Sequence, residues 1–297
     1  MSILHRAKRL FQLLERSEQR FDELKINQGK ILSQLARSVQ STNLQDYEFK
    51  VFSQWGEDGI IQRLVNNIPI ANKTFIEFGV EDFYESNCRF LMVNNNWRGF
   101  VMDGSEAYIE RLRSSPFYWK YDLQALSAFV TSENVNTLLR KSGFDSDLGI
   151  LSIDLDGIDY WIFDAVTYFQ PRILILEYNA VFGSERAISV PYDKTFIRSQ
   201  KHSSNLYWGA SLPALSHAAS RKGYVLVGTN SAGCNAFFVR SDLVNEKVPA
   251  APQSFTESRY RESRENGALT YLSGSARAEA IRGAPVVNVM TGQTEAF

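Results

Sequence analysis

A chain of 297 residues, 44% hydrophobic and 13% aromatic, can bury one large α/β core with extensions or two smaller cores. Thirty-two Lys and Arg against 33 Asp and Glu leave a formal charge of -1, which excludes a strongly basic nucleic-acid surface and an acidic tail. No apolar run reaches the roughly 18 to 20 residues of a membrane span, and the first residues are too densely charged for a signal-peptide core. Cys88 and Cys234 lie far apart without metal-ligand spacing, so the expectation is a soluble cytoplasmic protein with its thiols in the core.

The first 40 residues contain no Pro and one Gly. Apolar residues fall on alternating steps of four and three through Ile3, Ala7, Leu10, Leu14, Ser17, Phe21, Leu24, Gln28, Ile31 and Leu35, with only Ser17 and Gln28 polar. That heptad repeat predicts a long amphipathic helix. It could join chains into a homo-oligomer or fold back on its own domain, since Phe11, Leu13 and Leu32 widen the stripe. The basic start at His5, Arg6, Lys8 and Arg9 also suits an anionic membrane surface, a reading weakened by Glu15, Glu18, Asp22 and Glu23.

Residues 41–50 read as a linker, and from Phe52 short apolar runs alternate with helical stretches, the signature of βαβ units around a parallel sheet. Strands are predicted at 74–79, 99–103, about 117–121, 148–154, 172–178, 223–229 and 234–240. Helices are predicted at 58–65, 85–93, 106–114, 132–141, 160–167 and 211–221. Asn230 to Gly233 is too short for a helical crossover, so the last strand should run antiparallel. The domains expected are a helix at 1–40, an α/β domain at 50–241 and an extension at 242–297 that could wrap it as an arm.

The candidate chemistry lies at strand ends, where an open α/β sheet binds its ligands. Glu77 and Gly79 close the first strand, and Asp103 closes the second, placed to accept the hydroxyls of an adenosine ribose or to cap the next helix. LSIDLDG ends the fourth strand with Asp154 and Asp156, and LEYN places Glu177 and Asn179 at the end of the fifth. Asp154, Glu177 and Asn179 offer the oxygen ligands that Mg²⁺ or Mn²⁺ prefers. Alternatively, Asp154 or Asp156 acts as a general base or caps a helix. His202 sits in an irregular polar stretch, free to reach a substrate. Gln54 precedes an amphipathic helix, where capping competes with cofactor contact.

The ordered motifs FSQWGEDGII, FIEFGVED, GFVMDGS, LSIDLDGIDYWIF and ILEYN, across about Phe52 to Arg240, resemble the FkbM-type S-adenosylmethionine-dependent methyltransferases and their relatives in surface-glycan gene clusters. The resemblance implies a class I, Rossmann-like sheet of seven strands with the last antiparallel. It also implies a cofactor, S-adenosylmethionine, held by Gln54, Glu77, Gly79 and Asp103, with Asp154 near the methyl donor. EFGVED departs from the glycine-richer loop of most methyltransferases, and the second acid of DLD and the EYN look like the metal-assisted members. Methyl transfer to an oxygen of a sugar or related polar metabolite is therefore the leading expectation, with Asp154, Asp156 and His202 as catalytic candidates. The alternatives are a nucleotide-sugar glycosyltransferase holding a metal on DLD, and a non-catalytic scaffold assembled by the helix.

Overall fold

The computed structural model describes residues 3–252 and 254–297, with side chains of the first helix described at positions 5, 9, 13, 14 and 17 and from 19 onward. The helix α1 runs Ile3–Ala36. There follow α2 (Glu57–Asn67), β1 (Thr74–Phe78), α3 (Arg89–Asn95), β2 (Arg98–Asp103), α4 (Glu106–Ser114) and β3 (Leu123–Ser127). Next come α5 (Val135–Arg140), β4 (Ile150–Ile153), α6 (Asp159–Ala165), β5 (Ile173–Glu177), β6 (Ile188–Ser189), α7 (Arg198–Lys201), α8 (Leu212–Arg221), β7 (Tyr224–Thr229) and β8 (Asn235–Arg240).

Seven strands form one sheet in the order β3-β2-β1-β4-β5-β8-β7. Every pair is parallel except those made by β8, which runs antiparallel to both β5 and β7. Side chains alternate across the pleat. Ile76, Phe78, Leu151, Ile153, Leu174 and Leu176 face α5, α6 and α8 on one side. Phe75, Ile150, Ile173 and Ile175 face α2 and α4 on the other. Burying each such side chain contributes roughly 1.5–3 kcal/mol, so the central strands read as near-continuous apolar runs.

The predicted strand at 117–121 is displaced. Residues 118–120 form a 3-10 turn after Pro116, where Phe117 packs on Phe83 and Tyr121, and the edge strand β3 follows at Leu123–Ser127. The helix predicted from Glu85 begins at Arg89 instead, because residues 86–88 form a loop whose polar groups bond to Glu77.

α1 lies against the domain along one narrow face. Asp22 pairs with Arg89 at 2.9 Å, Ile26 packs on Val51, Phe52 and Phe90, and Ser33 is buried. Gly29 allows the closest approach, since a Cβ there would lie 2.6 Å from Val51 Cγ2 and 2.7 Å from Phe90. The heptad stripe is not the docked face. Its described apolar members Leu14, Phe21, Leu24, Ile31 and Leu35, with Leu13, are 52–64% exposed. Ile3, Ala7 and Leu10 of the stripe lie outside the described side chains.

The C-terminal residues wrap the domain. Pro285–Asn288 pairs with β6 and with Thr294–Ala296 in a second, three-stranded sheet. Thr256 accepts a 2.7 Å hydrogen bond from Tyr178 Oη at its carbonyl and one of 2.8 Å from Gln45 at its hydroxyl.

Candidate active site

The ends of β1 and β4 touch. Gly79 has φ +70°, and a Cβ at that position would lie 1.6 Å from the Asp154 carbonyl oxygen, so only glycine fits this turn. Beyond it the crevice divides into two connected halves that share Gly79, Glu81, Asp154 and Asp156. One, of about 250 Å³, is walled by Met102, Asp103, Tyr108, Phe129, Ile158 and Phe196. The other, of about 290 Å³, is walled by Gln54, Trp55, Glu77, Asn87, Glu177, Arg198, Asn235, Tyr260 and Glu262. Larger cavities exist elsewhere, of about 720 and 740 Å³. We place the chemistry in the smaller pair because the strand-end acids converge there.

Asp103 binds the β1 turn to β2. Its Oδ2 accepts from the Glu81 N–H and its Oδ1 from the Ser105 N–H, each at 2.8 Å. Ser105, not Asp103, caps α4. Glu77 is 5% exposed, and its oxygens accept from Ser86 Oγ and the N–H groups of Asn87 and Cys88. Burial pushes its carboxyl up against the downward pull of these bonds. Its part is therefore to fold the loop that forms the cavity floor.

Asp154 and Glu177 stand side by side at the ends of the neighbouring strands β4 and β5 as a half-buried carboxyl pair, close enough to share a proton. Burial, then the charges of Asp156 and Asp159, push Asp154 well up; burial, then the charge of Asp154, does the same to Glu177. With both ionised, Glu177 Oε2 is buried without a donor. A proton shared with Asp154 supplies one.

Asp156 has a different setting. It adopts a left-handed φ of +52° and ion-pairs with Arg198, which also holds Glu262 and lies 4.5 Å over the Trp208 ring. Neither acid of DLD caps α6. Asp159 organises the turn instead, accepting from the N–H groups of Leu155 (2.7 Å) and Gly157 (3.0 Å). The loop bearing Gln54 and Trp55 is fixed in the same manner. Asp58 Oδ2 accepts from the N–H groups of Val51, Phe52 and Ser53. Glu57 accepts from the Trp55 and Gly56 N–H groups and from the amides of Asn230 and Asn235, tying the loop to the β7–β8 hairpin. Trp55 stacks on Tyr260 of the C-terminal arm, ring centroids 5.8 Å apart, and the two roof the second half-cavity.

Two of the predicted site residues do not line the crevice. Asn179 is 1% exposed, donates to the carbonyls of Leu206 and Trp208, accepts from Val181 N–H, and lines neither half of the crevice. Among the described residues no group of three or more His, Cys, Asp and Glu is arranged to hold a metal ion. Of the predicted Mg²⁺ or Mn²⁺ set, Asp154 and Glu177 are adjacent and Asn179 stands apart. His202 lines neither half of the crevice; it lies in the 720 Å³ cavity with Asp193, Lys194, Lys201 and Tyr207, which borders the crevice at Phe196, its Nδ1 2.8 Å from Ser204 Oγ. Gln54, Glu77, Gly79 and Asp154 do meet in one half of the crevice, and Asp103 lines the other. Arg198, Tyr260, Glu262 and Asp159 were missed; only Asp159 carried a signal, an acid just after the glycine of the strand-end turn.

Strand order and the single reversed strand define the Rossmann-like sheet of the class I methyltransferases. No protein-family model matches the sequence, and no curated protein does. Among solved structures, a putative methyltransferase complexed with its Trm112 activator from Haloferax volcanii aligns at 14% identity, over 61% of this chain and 88% of that one, with a TM-score of 0.38. An O-methyltransferase family protein from Burkholderia thailandensis aligns at 8% identity, over 82% of this chain and 61% of that one (TM-score 0.37). TrmK of M. capricolum, solved with S-adenosylhomocysteine, aligns at 10% identity, over 65% and 75% (TM-score 0.37). Among the described residues no helix is long and apolar enough to cross a membrane.

Proposed function

We propose that the protein transfers the methyl group of S-adenosylmethionine to a hydroxyl of a sugar or related uncharged polar metabolite. The observation that carries this reading is the divided crevice, with Asp103 on one side of Gly79 and the Asp154–Glu177 pair on the other. The cofactor fits the groups present: its sulfonium and ammonium are cations, and acidic side chains dominate the lining of the half-cavity that would receive them. Asp103 and the wall of Tyr108, Phe129 and Ile158 would hold the nucleoside, and Gln54 and Asp154 the amino-acid end. When bound, the cofactor supplies an electrophilic methyl on sulfur.

The chain's own residues do the rest. Trp55 and Tyr260 exclude water and orient the acceptor, Arg198 fixes Asp156 and Glu262, and the Asp154–Glu177 pair takes the acceptor proton. Seven carboxyl groups line this half-cavity (Glu77, Glu81, Glu85, Asp154, Asp156, Glu177, Glu262), Asp154 and Glu177 sharing a proton, against Arg198, which Asp156 and Glu262 occupy. That field repels a phosphorylated acceptor. It also disfavours the nucleotide-sugar glycosyltransferase reading, because Asp156 is committed to a guanidinium rather than open to a metal.

Cytoplasmic placement, a role in surface-glycan synthesis and self-association through α1 belong to the same proposal. Cys88 and Cys234 are buried free thiols, as a reducing compartment permits. Titration calorimetry with S-adenosylmethionine and S-adenosylhomocysteine tests the core of the reading: saturable heats are expected, and no binding of either at millimolar concentration would sink it.

A further inference from the structure

α1 carries two apolar or close-packed stripes on nearly opposite faces. Asp22, Ile26, Gly29 and Ser33 meet the domain. Leu14, Ser17, Phe21, Leu24, Gln28, Ile31 and Leu35 follow a second heptad line, roughly 150° away around the helix at about 100° per residue. All seven are exposed. A helix already packed on its own domain has no need of five more large apolar side chains facing water, and such a stripe is a seam for another helix.

The sequence along the seam identifies the occupant. We infer that it is the same helix of a second copy of this chain, packed antiparallel with the partner's Leu24 against Phe21. This deepens the self-association part of the function proposed above and rests on it. The register sets Leu14 against Ile31 and Phe21 against Leu24. It also pairs Ser17 with Gln28, so the only two polar residues of the seam meet each other, twice, and can satisfy one another. The flanking positions agree. By sequence, antiparallel packing brings the Glu18 and Lys25 positions together as opposite charges, whereas parallel packing brings Arg20 beside Lys25 as like charges. The helix remains anchored to its own domain through Gly29 and the Asp22–Arg89 pair, so the two domains sit on outer faces of the helix pair.

Sedimentation of the full chain at micromolar concentration is expected to give a dimer, and Phe21→Glu with Leu24→Glu to give a folded monomer with its thermal transition retained. Orientation is read by oxidative cross-linking. Ser17→Cys protein mixed with Gln28→Cys protein should form a covalent dimer. Gln28→Cys alone should not, because its two copies would stand about 16 Å apart along the axis, beyond the roughly 4–7 Å between Cα atoms that a disulfide spans. A monomeric wild type at every concentration would overturn both the pairing and its arrangement. Self-cross-linking of Gln28→Cys, or an assembly larger than two, would overturn the arrangement alone.

Discussion

Asp159→Asn offers a test of what holds the DLDG turn. Burial raises the Asp159 carboxyl from 3.8 to about 6, outweighing the two backbone N–H groups that pull it down. At about 1.4 kcal/mol per pKa unit, a rise of about two corresponds to ~3 kcal/mol. The sign follows from proton binding. Between pH 3.8 and 6 the folded chain holds this proton more tightly than the unfolded chain, so the contribution is fully present below pH 3.8 and lost as pH rises through 6. Asparagine cannot ionise, and the variant loses that dependence. Its stability relative to wild type should therefore improve by ~3 kcal/mol between pH 3.5 and pH 8, whatever the constant offset from its altered hydrogen bonds. Urea denaturation followed by tryptophan fluorescence at the two pH values measures the difference. A variant that instead becomes relatively worse at pH 8 would show that the Leu155 and Gly157 N–H groups dominate burial, and the reasoning fails.

Asp103→Asn should weaken S-adenosylmethionine binding about tenfold or more by calorimetry, while Asp154→Asn should reduce turnover by at least about 100-fold with the fold intact by circular dichroism. Turnover should rise with pH as the pair loses its remaining proton, since both carboxyls are pushed up, and a turnover that falls as pH rises would contradict the assignment. Glu57→Ala leaves two backbone N–H groups and two asparagine amides without their acceptor, and should cost about 3–5 kcal/mol in urea melts. His202→Ala, outside the residues that line the crevice, should leave cofactor affinity within about twofold of wild type; a larger loss by calorimetry would give the ring a part in the crevice.

The sheet was legible because its central strands are buried on both faces, and their apolar runs end abruptly in acids. The edge strand was not. Leu123–Ser127 is half exposed, whereas the aromatic run before it mimics a strand while forming a turn after Pro116. Asp103, Asp154 and Glu177 were readable from their places at strand ends. Asn179 stands at an equivalent place, yet its side chain turns back to cap the segment 180–182, a choice made by carbonyls some 30 residues away in the chain. Arg198 opens a four-residue helix too short to show a period, and Tyr260 and Glu262 come from an irregular stretch of the C-terminal arm that only folding brings to Trp55 and Arg198.

Cys234 borders the same acid-lined half-cavity, where Asn230 donates to its sulfur at 3.2 Å. Burial, then the charge of Glu57, pushes its thiol well up, so it stays protonated. Thiolate, not thiol, is the nucleophile. On the proposed function this amounts to chemoselectivity: the softest nucleophile bordering the acid-lined half-cavity is silenced by burial first and by its acidic neighbours second. With the proposed donor bound there, self-alkylation would be disfavoured and the methyl group left for the acceptor.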